Sequence, residues 1–239
     1  MGSASSFRGF SPEAVTFLRS LALNNDRAWF ADHKTVYQTE ILAPMRQLVA
    51  DLGPTMTAID PGFDTDPRGA AVSRIFRDTR FSRDKSPYRV NQWISFKHRT
   101  KDWTTRPAFF MEFRPEGYRH GMGYYAANAA TMAAVRRRMA VHPERLQDAM
   151  ETAEKAGYGL EGELYKRPRL PADLPPQILD WFRRKNVYVV KNEVIDATFH
   201  SEAIVELLRN SFRASAQLYR FLADAGRIDG DEEFEAAEN

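Results

Sequence analysis

Pro107-Ala-Phe-Phe-Met-Glu-Phe113-Arg-Pro-Glu-Gly117-Tyr-Arg-His-Gly-Met-Gly-Tyr-Tyr125 is the stretch whose reading decides the fold class. Residues 107–113 and 118–125 read as strands, and Arg114-Pro115-Glu116-Gly117 between them is a reverse-turn sequence, so the stretch is a hairpin. In Phe109 to Phe113 the apolar residues fall on both faces, which predicts a central strand covered on each side. Residues 70–76 and 91–97 show the same extended pattern upstream, giving a meander of mainly antiparallel strands.

Outward from the hairpin the period changes to helical. Ser11 caps a helix over 11–22 with Pro12 at its first position, and Asn25-Asp26 caps a second short helix carrying Trp29 and Phe30. Val36, Ile41, Met45, Leu48, Val49 and Leu52 continue a helical face as far as Gly53-Pro54, with Pro44 expected to kink or restart it. On the other side Asn128 caps a helix to about Met139, and His142-Pro143-Glu144 opens another to about Ala156. A loop over 157–175 with a short strand at 163–166, a helix at 176–184, a strand at 187–190 and a long last helix at 201–225 follow. Helices, then strands, then helices is an α+β pattern: a mainly antiparallel sheet flanked by N-terminal and C-terminal helices, in a single compact domain over 11–228. Residues 1–10 read as a flexible start and 229–239 as an acidic disordered tail.

The tail matters for charge. It carries six carboxylates and no Lys or Arg, so a net charge of +2 for the whole chain becomes +8 over residues 1–228. A moderately basic body suits phosphates or other anions. The chain has no cysteine, which excludes disulfides, thiolate chemistry and Cys-ligated metals. No apolar run approaches the roughly 20 residues of a membrane helix, and the start MGSASSFRGFS lacks a basic region followed by an apolar core. Those features predict a cytoplasmic protein with no membrane association.

Positive charge is densest in Arg74-Ile-Phe-Arg77-Asp78-Thr-Arg80-Phe-Ser-Arg83-Asp84-Lys85-Ser-Pro-Tyr88-Arg89. As a strand the segment would put Arg74, Phe76, Asp78 and Arg80 on one face and Ile75, Arg77 and Phe81 on the other, so one basic patch requires a bend near Asp78. Arginine suits bidentate recognition of phosphate or carboxylate, and Lys85 adds a point charge. One reading is an anion pocket of Arg74, Arg77, Arg80 and Lys85 oriented by Asp78 and Asp84. The other is a clasp in which the same carboxylates pair with the arginines and pin a loop. In either, Phe81 and Tyr88 are expected to anchor the turn in the core.

The spacing Arg74-x-x-Arg77-Asp78-x-Arg80-Phe81 followed by Asp84-Lys85-x-x-Tyr88 resembles the signature of the bacterial domain-of-unknown-function 2461 family, conserved hypothetical proteins of about this length. Asn24-Asn25-x-Arg27-x-Trp29-Phe30 and Gly121-x-Gly123 also resemble that family, so the resemblance covers nearly the whole chain. It implies one α+β domain and adds weight to the arginine cluster. It implies no activity and no catalytic roles.

Asn24, Asn25 and Arg27 either donate to the same anion, or Asn24 and Asn25 cap the helix end and start while Trp29 and Phe30 enter the core. Among the five histidines, none lies in an H-x-x-x-H or HExxH arrangement. His120 is the acid/base candidate, because the glycines at 121 and 123 permit a ligand to approach the backbone. Asp64 and Asp66 lie in a loop that lacks the Gly and Glu of a calcium site and reads as a solvated turn. Lys97 to Arg106 and Arg136-Arg137-Arg138 are basic stretches that can touch nucleic acid, the triplet more simply being a solvated helix face.

The expectation is an anion-binding cleft lined by Arg74, Arg77, Arg80, Lys85, Tyr88, Asn25 and Arg27, taking a phosphorylated or carboxylated small molecule. An enzyme version gives Asp78 or Asp84 the general base, a binding version serves nucleic acid or an acidic protein surface, and a third makes the motif a structural clasp. Metal ligands are not expected, and cofactor, reaction and oligomeric state are left open by the sequence.

Overall fold

The computed structural model describes residues 7–101, 103–168 and 170–226. Its elements run α1 (Pro12–Leu23), α2 (Arg27–Val36), a π-helical turn (Tyr37–Leu42), α3 (Ala43–Ile59), β1 (Gln92–Phe96), β2 (Ala108–Arg114), β3 (Gly117–Gly123), α4 (Ala129–Val141), α5 (Pro143–Lys155), β4 (Gly159–Glu161), α6 (Pro176–Phe182), β5 (Tyr188–Glu193), α7 (Ala203–Ala214) and α8 (Ala216–Ala223). The strands form one antiparallel sheet in the order β1-β2-β3-β5-β4, with Leu160 of β4 opposite Val189 of β5. The α+β class read from the hairpin is therefore the class of the fold. The described residues separate into two compact units, one of 7–96 with 110–120 and 192–210, the other of 97–109, 121–191 and 211–226.

In the first unit the helix starts are fixed by their own side chains. The Ser11 hydroxyl accepts from the Ala14 N–H at 3.2 Å, and Asp26 Oδ1 accepts from the Trp29 N–H at 2.9 Å. Phe17 of α1 meets Trp29, Phe30 and Tyr37 at centroid distances of 5.5, 6.5 and 6.2 Å. Phe7 and Phe10 are buried, and Phe10 packs on Phe113 and Phe199 at 4.7 and 4.9 Å. The flexible start expected over 1–10 therefore does not extend to 7–10, because burying a Phe side chain is worth about 1.5–3 kcal/mol. Residues 1–6 and the expected acidic tail at 229–239 lie outside the described residues.

Two proline expectations have different outcomes. Pro44 does mark a change of register: in an α-helix its ring would press on the carbonyl four residues back, at Glu40, and the wider π turn of 37–42 precedes it. Gly53-Pro54 does not end the helix, which continues to Ile59 with Pro54 inside it. Thr55 and Met56 beyond the proline are buried with Leu48, Val49 and Leu52, so packing outweighs the missing hydrogen bond. Residues 70–76 are likewise not a strand. They run beside β1, but Val72 and Phe76 make isolated bridges, to Ile94 and Tyr88, and the Ser73 hydroxyl takes the Trp93 N–H at 3.0 Å.

In the second unit Asn128 Oδ1 caps α4 by accepting from the Thr131 N–H at 2.8 Å. Phe109 lies 5.2 Å from Phe212 and from Tyr219, and the Tyr124 hydroxyl donates to the Leu222 carbonyl at 3.0 Å. The last helix is not continuous over 201–225. It breaks at Ser215, whose hydroxyl donates back to the Ser211 carbonyl at 3.1 Å and whose backbone sits at ψ 3°. The short strand expected at 163–166 forms earlier, at 159–161, leaving Leu164 in a single bridge to Arg184.

Candidate functional site

The basic segment folds as a loop closed at its base. The Arg77 N–H donates to the Pro87 carbonyl at 2.9 Å and the Arg89 N–H to the Ile75 carbonyl at 2.8 Å, on either side of the Phe76 to Tyr88 bridge. Asn25, between α1 and α2, completes the closure. Its amide Nδ2 donates to the Tyr88 carbonyl and its Oδ1 accepts from the Tyr88 N–H, both at 3.0 Å. Tyr88 is buried and its ring stacks on Phe30 at 4.2 Å, so it anchors the turn as expected. Phe81 does not: it is 95 % exposed at the loop tip, with Arg80 5.7 Å from its ring centre. The loop is pinned through its ends, which leaves the tip no core to enter.

Between this loop and the start of α2 lies a cleft of about 570 Å3, lined by Asn25, Asp26, Arg27, Phe76, Arg77, Thr79, Lys85, Pro87 and Tyr88. Five residues singled out in the sequence, Asn25, Arg27, Arg77, Lys85 and Tyr88, thus come together. Arg74 and Arg80 are exposed and stand outside the lining, as do Asp78 and Asp84. Those two carboxylates pair with the arginines instead. Asp78 takes Arg80 through two bonds, Nε to Oδ1 at 3.0 Å and Nη2 to Oδ2 at 2.7 Å. Asp84 Oδ2 takes Arg77 Nη1, and its Oδ1 accepts from the Ser86 hydroxyl at 2.6 Å and N–H at 2.9 Å. Lys85 Nζ donates to the Thr79 carbonyl at 2.9 Å, and Arg77 Nη2 to the Ser82 hydroxyl at 3.2 Å.

The pairing sets the acidity of the carboxylates. Hydrogen bonds from the Arg80 side chain and N–H hold Asp78 down to about 2. Bonds from the Ser86 hydroxyl and N–H, then from Arg77, hold Asp84 well below the usual carboxylate range. Groups so stabilised as anions are weak proton acceptors near neutral pH. Both carboxylates are exposed, with the Asp78 and Asp84 side chains 53 % and 54 % accessible, so the pairs organise the loop without a large stake in folding.

The sequence pattern of a family described as conserved hypothetical protein, DUF2461, matches residues 13–221. The chain belongs to that family. The match takes in α1, the loop and α8 alike, so the cleft's two walls both lie within the DUF2461 region. No curated protein matches the chain.

Elsewhere in this DUF2461 chain the remaining candidates have structural surroundings. His120 is fully buried, its Nε2 3.9 Å from Glu193 Oε1. The space that Gly123 leaves open is taken by the protein itself: at φ +146° an added Cβ would lie 2.4 Å from the Tyr188 Cα. Asp64 is buried where a solvated turn was expected, and its Oδ1 accepts from the Asp66 N–H at 3.0 Å. Of the arginine triplet only Arg137 is exposed as a solvated face would be. Arg136 donates to the Arg184 carbonyl and lies 5.1 Å from the Tyr165 ring centre, and Arg138 lies 5.0 Å from that of Phe221. Lys97 sits 4.1 Å over Trp103. Among the described residues no group of three or more His, Asp or Glu is arranged to hold a metal ion, and no helix is long and apolar enough to cross a membrane.

Four cleft residues were not foreseen: Asp26, Phe76, Thr79 and Pro87. The alternation that set Phe76 on a face with Arg74 and Asp78 pointed away from it, because those two stand outside the lining and Arg77 of the other face is inside, and the capping role of Asp26 concealed its second position. A separate charge cluster also went unread. Glu112, 7 % exposed, accepts from Asn91 at 2.9 Å, from Arg114 Nη2 at 2.8 Å and from Arg119 Nη2 at 2.8 Å. Burial pushes its carboxyl up, and the bonds from Asn91, Arg119 and Arg114 with the Arg119 charge more than offset this, leaving it below the ordinary value.

Proposed function

We propose that the cleft binds a small molecule carrying a phosphate or carboxylate. One observation carries the reading: Arg27, Arg77 and Lys85, from two separate parts of the chain, line one cleft whose lining includes a single carboxylate, Asp26. Asp26 already serves the start of α2, so the anion is held by side-chain cations and not by the helix end. Binding is favoured over base catalysis because Asp78 and Asp84 are held in their charged forms by their partners. The same proposal takes the cytoplasm as the setting, in keeping with a cysteine-free chain that relies on no disulfide.

The test is thermal unfolding of the full chain with inorganic phosphate, pyrophosphate and a dicarboxylate. A ligand at about 100 times its Kd adds about 2.7 kcal/mol, which for a chain of this size raises Tm by about 5–10 °C. Arg27→Ala and Lys85→Ala should remove that shift while leaving the unliganded Tm near wild type. A second reading, the loop clasp, is favoured by the Arg77 to Asp84 and Arg80 to Asp78 pairs. It predicts that no anion moves Tm and that Arg77→Ala lowers the unliganded Tm.

A further inference from the structure

The cleft is larger and less polar than a bare anion requires. Its volume of about 570 Å3 lies inside the roughly 300–1,000 Å3 range of pockets that enclose whole organic ligands. Its lining is divided in kind: Arg27, Arg77 and Lys85 supply charge, while Phe76 and Pro87 supply apolar surface.

Phe76 differs from the other aromatics nearby. Tyr88 has a ring face occupied, being stacked on Phe30 at 4.2 Å and 24°. Phe76 meets Tyr88 at 5.6 Å and 45° and Phe30 at 6.4 Å and 61°, so neither ring lies flat on it, and 62 % of the residue is exposed. Its backbone is nevertheless fixed, bridged to Tyr88, with the Phe76 carbonyl accepting from Arg89 Nε at 3.3 Å. A held ring with an open face beside cations is a platform for a second planar ring that carries negative charge. Asp26 adds an acceptor at the rim: Oδ1 is engaged with the Trp29 N–H, which leaves the carboxylate's other oxygen to take a hydroxyl or amine. Planar ring, hydroxyl or amine, and phosphate together describe one chemical class.

We propose that the cleft takes a nucleoside phosphate, with the base stacked on Phe76 and the phosphate held by Arg27, Arg77 and Lys85. The inference rests on the anion-site reading above and adds the identity of the organic part.

Calorimetric titration of the full chain with AMP, ribose 5-phosphate, inorganic phosphate and a short oligo(dA) tests it. AMP should bind at least about fivefold tighter than ribose 5-phosphate, the difference expected of one stacked base. Phe76→Ala and Phe76→Leu should erase that ratio and leave ribose 5-phosphate binding unchanged, whereas Lys85→Ala should weaken both ligands together. Equal affinity for AMP and ribose 5-phosphate, or a ratio that survives Phe76→Leu, overturns the stacking inference and leaves the anion site standing. No binding of any phosphate compound overturns both. Binding of oligo(dA) without AMP also overturns the inference, and makes the surface one for nucleic acid.

Discussion

The side-chain amide of Asn25 pairs with the backbone of Tyr88 as a neighbouring strand would, donating to its carbonyl and accepting from its N–H at 3.0 Å each. This pairing joins residues 63 positions apart and ties the start of α2 to the base of the basic loop. Asn25→Ala leaves both backbone groups without that partner. It should cost about 1–3 kcal/mol, and Asn25→Asp, which keeps the acceptor but sets a carboxylate oxygen against the Tyr88 carbonyl, should not restore the loss. Urea unfolding measures this as a lower midpoint at unchanged m-value. Under the anion-site proposal, phosphate affinity should fall in parallel, because one of the ties between the cleft's two walls is lost.

Phe81 and Tyr88 should respond in opposite ways to the same truncation. Tyr88, buried and stacked on Phe30, should lose about 3–5 kcal/mol on change to Ala. Phe81, 95 % exposed, should change stability by no more than about 0.5 kcal/mol. Denaturation curves of the two variants beside wild type check the contrast.

Acid titration should report the Arg80 to Asp78 pair. The folded Asp78 titrates at about 2, below the ordinary carboxylate value of about 3.9. A depressed value means that the pair's contribution is complete above the ordinary value and is lost as pH falls through about 2. NMR of the Asp78 carboxyl should give that midpoint in wild type and a higher one in Arg80→Ala, still short of the ordinary value because the backbone N–H at position 80 goes on donating to Asp78. The Arg80→Ala melt at neutral pH should lie only slightly below wild type, since both side chains are exposed and solvent screens the pair.

Glu112 should be the more consequential carboxylate for folding. Glu112→Gln leaves Arg114 and Arg119 facing a neutral amide, at a cost of about 2 kcal/mol or more, less than a wholly buried pair because Arg114 is 48 % accessible. With its value below the ordinary one, the stabilisation is present above about pH 4.5 and lost on further acidification. Stability of wild type from pH 6 to pH 2 should therefore fall more steeply than that of the variant.

What could be read in advance follows the range of the interactions involved. The caps at Ser11, Asp26 and Asn128 and the hairpin at 114–117 are set by residues within a few positions of each other, and they stand where the sequence put them. Where distant packing decides, local signals mislead. Pro54 lies within α3 because its neighbours are buried, and Ser215 breaks a helix that apolar spacing made continuous. In the cleft, the charged residues were legible as a cluster. Which of them face it depends on loop closure at Asn25 and Tyr88, a pairing with no trace in local spacing.

The π turn at 37–42 holds one residue more than an α-helical turn would need, placed where two helices run end to end. Each residue of an α-helix advances the side chains by about 100°. Without that widening the extra residue would rotate every α3 side chain by about that angle against α2. Met45, Leu48 and Leu52 would then leave the interior, so the wide turn absorbs an added residue that a regular helix could not carry. Chain length can thus change by one residue at this joint while the buried faces on either side keep their residues.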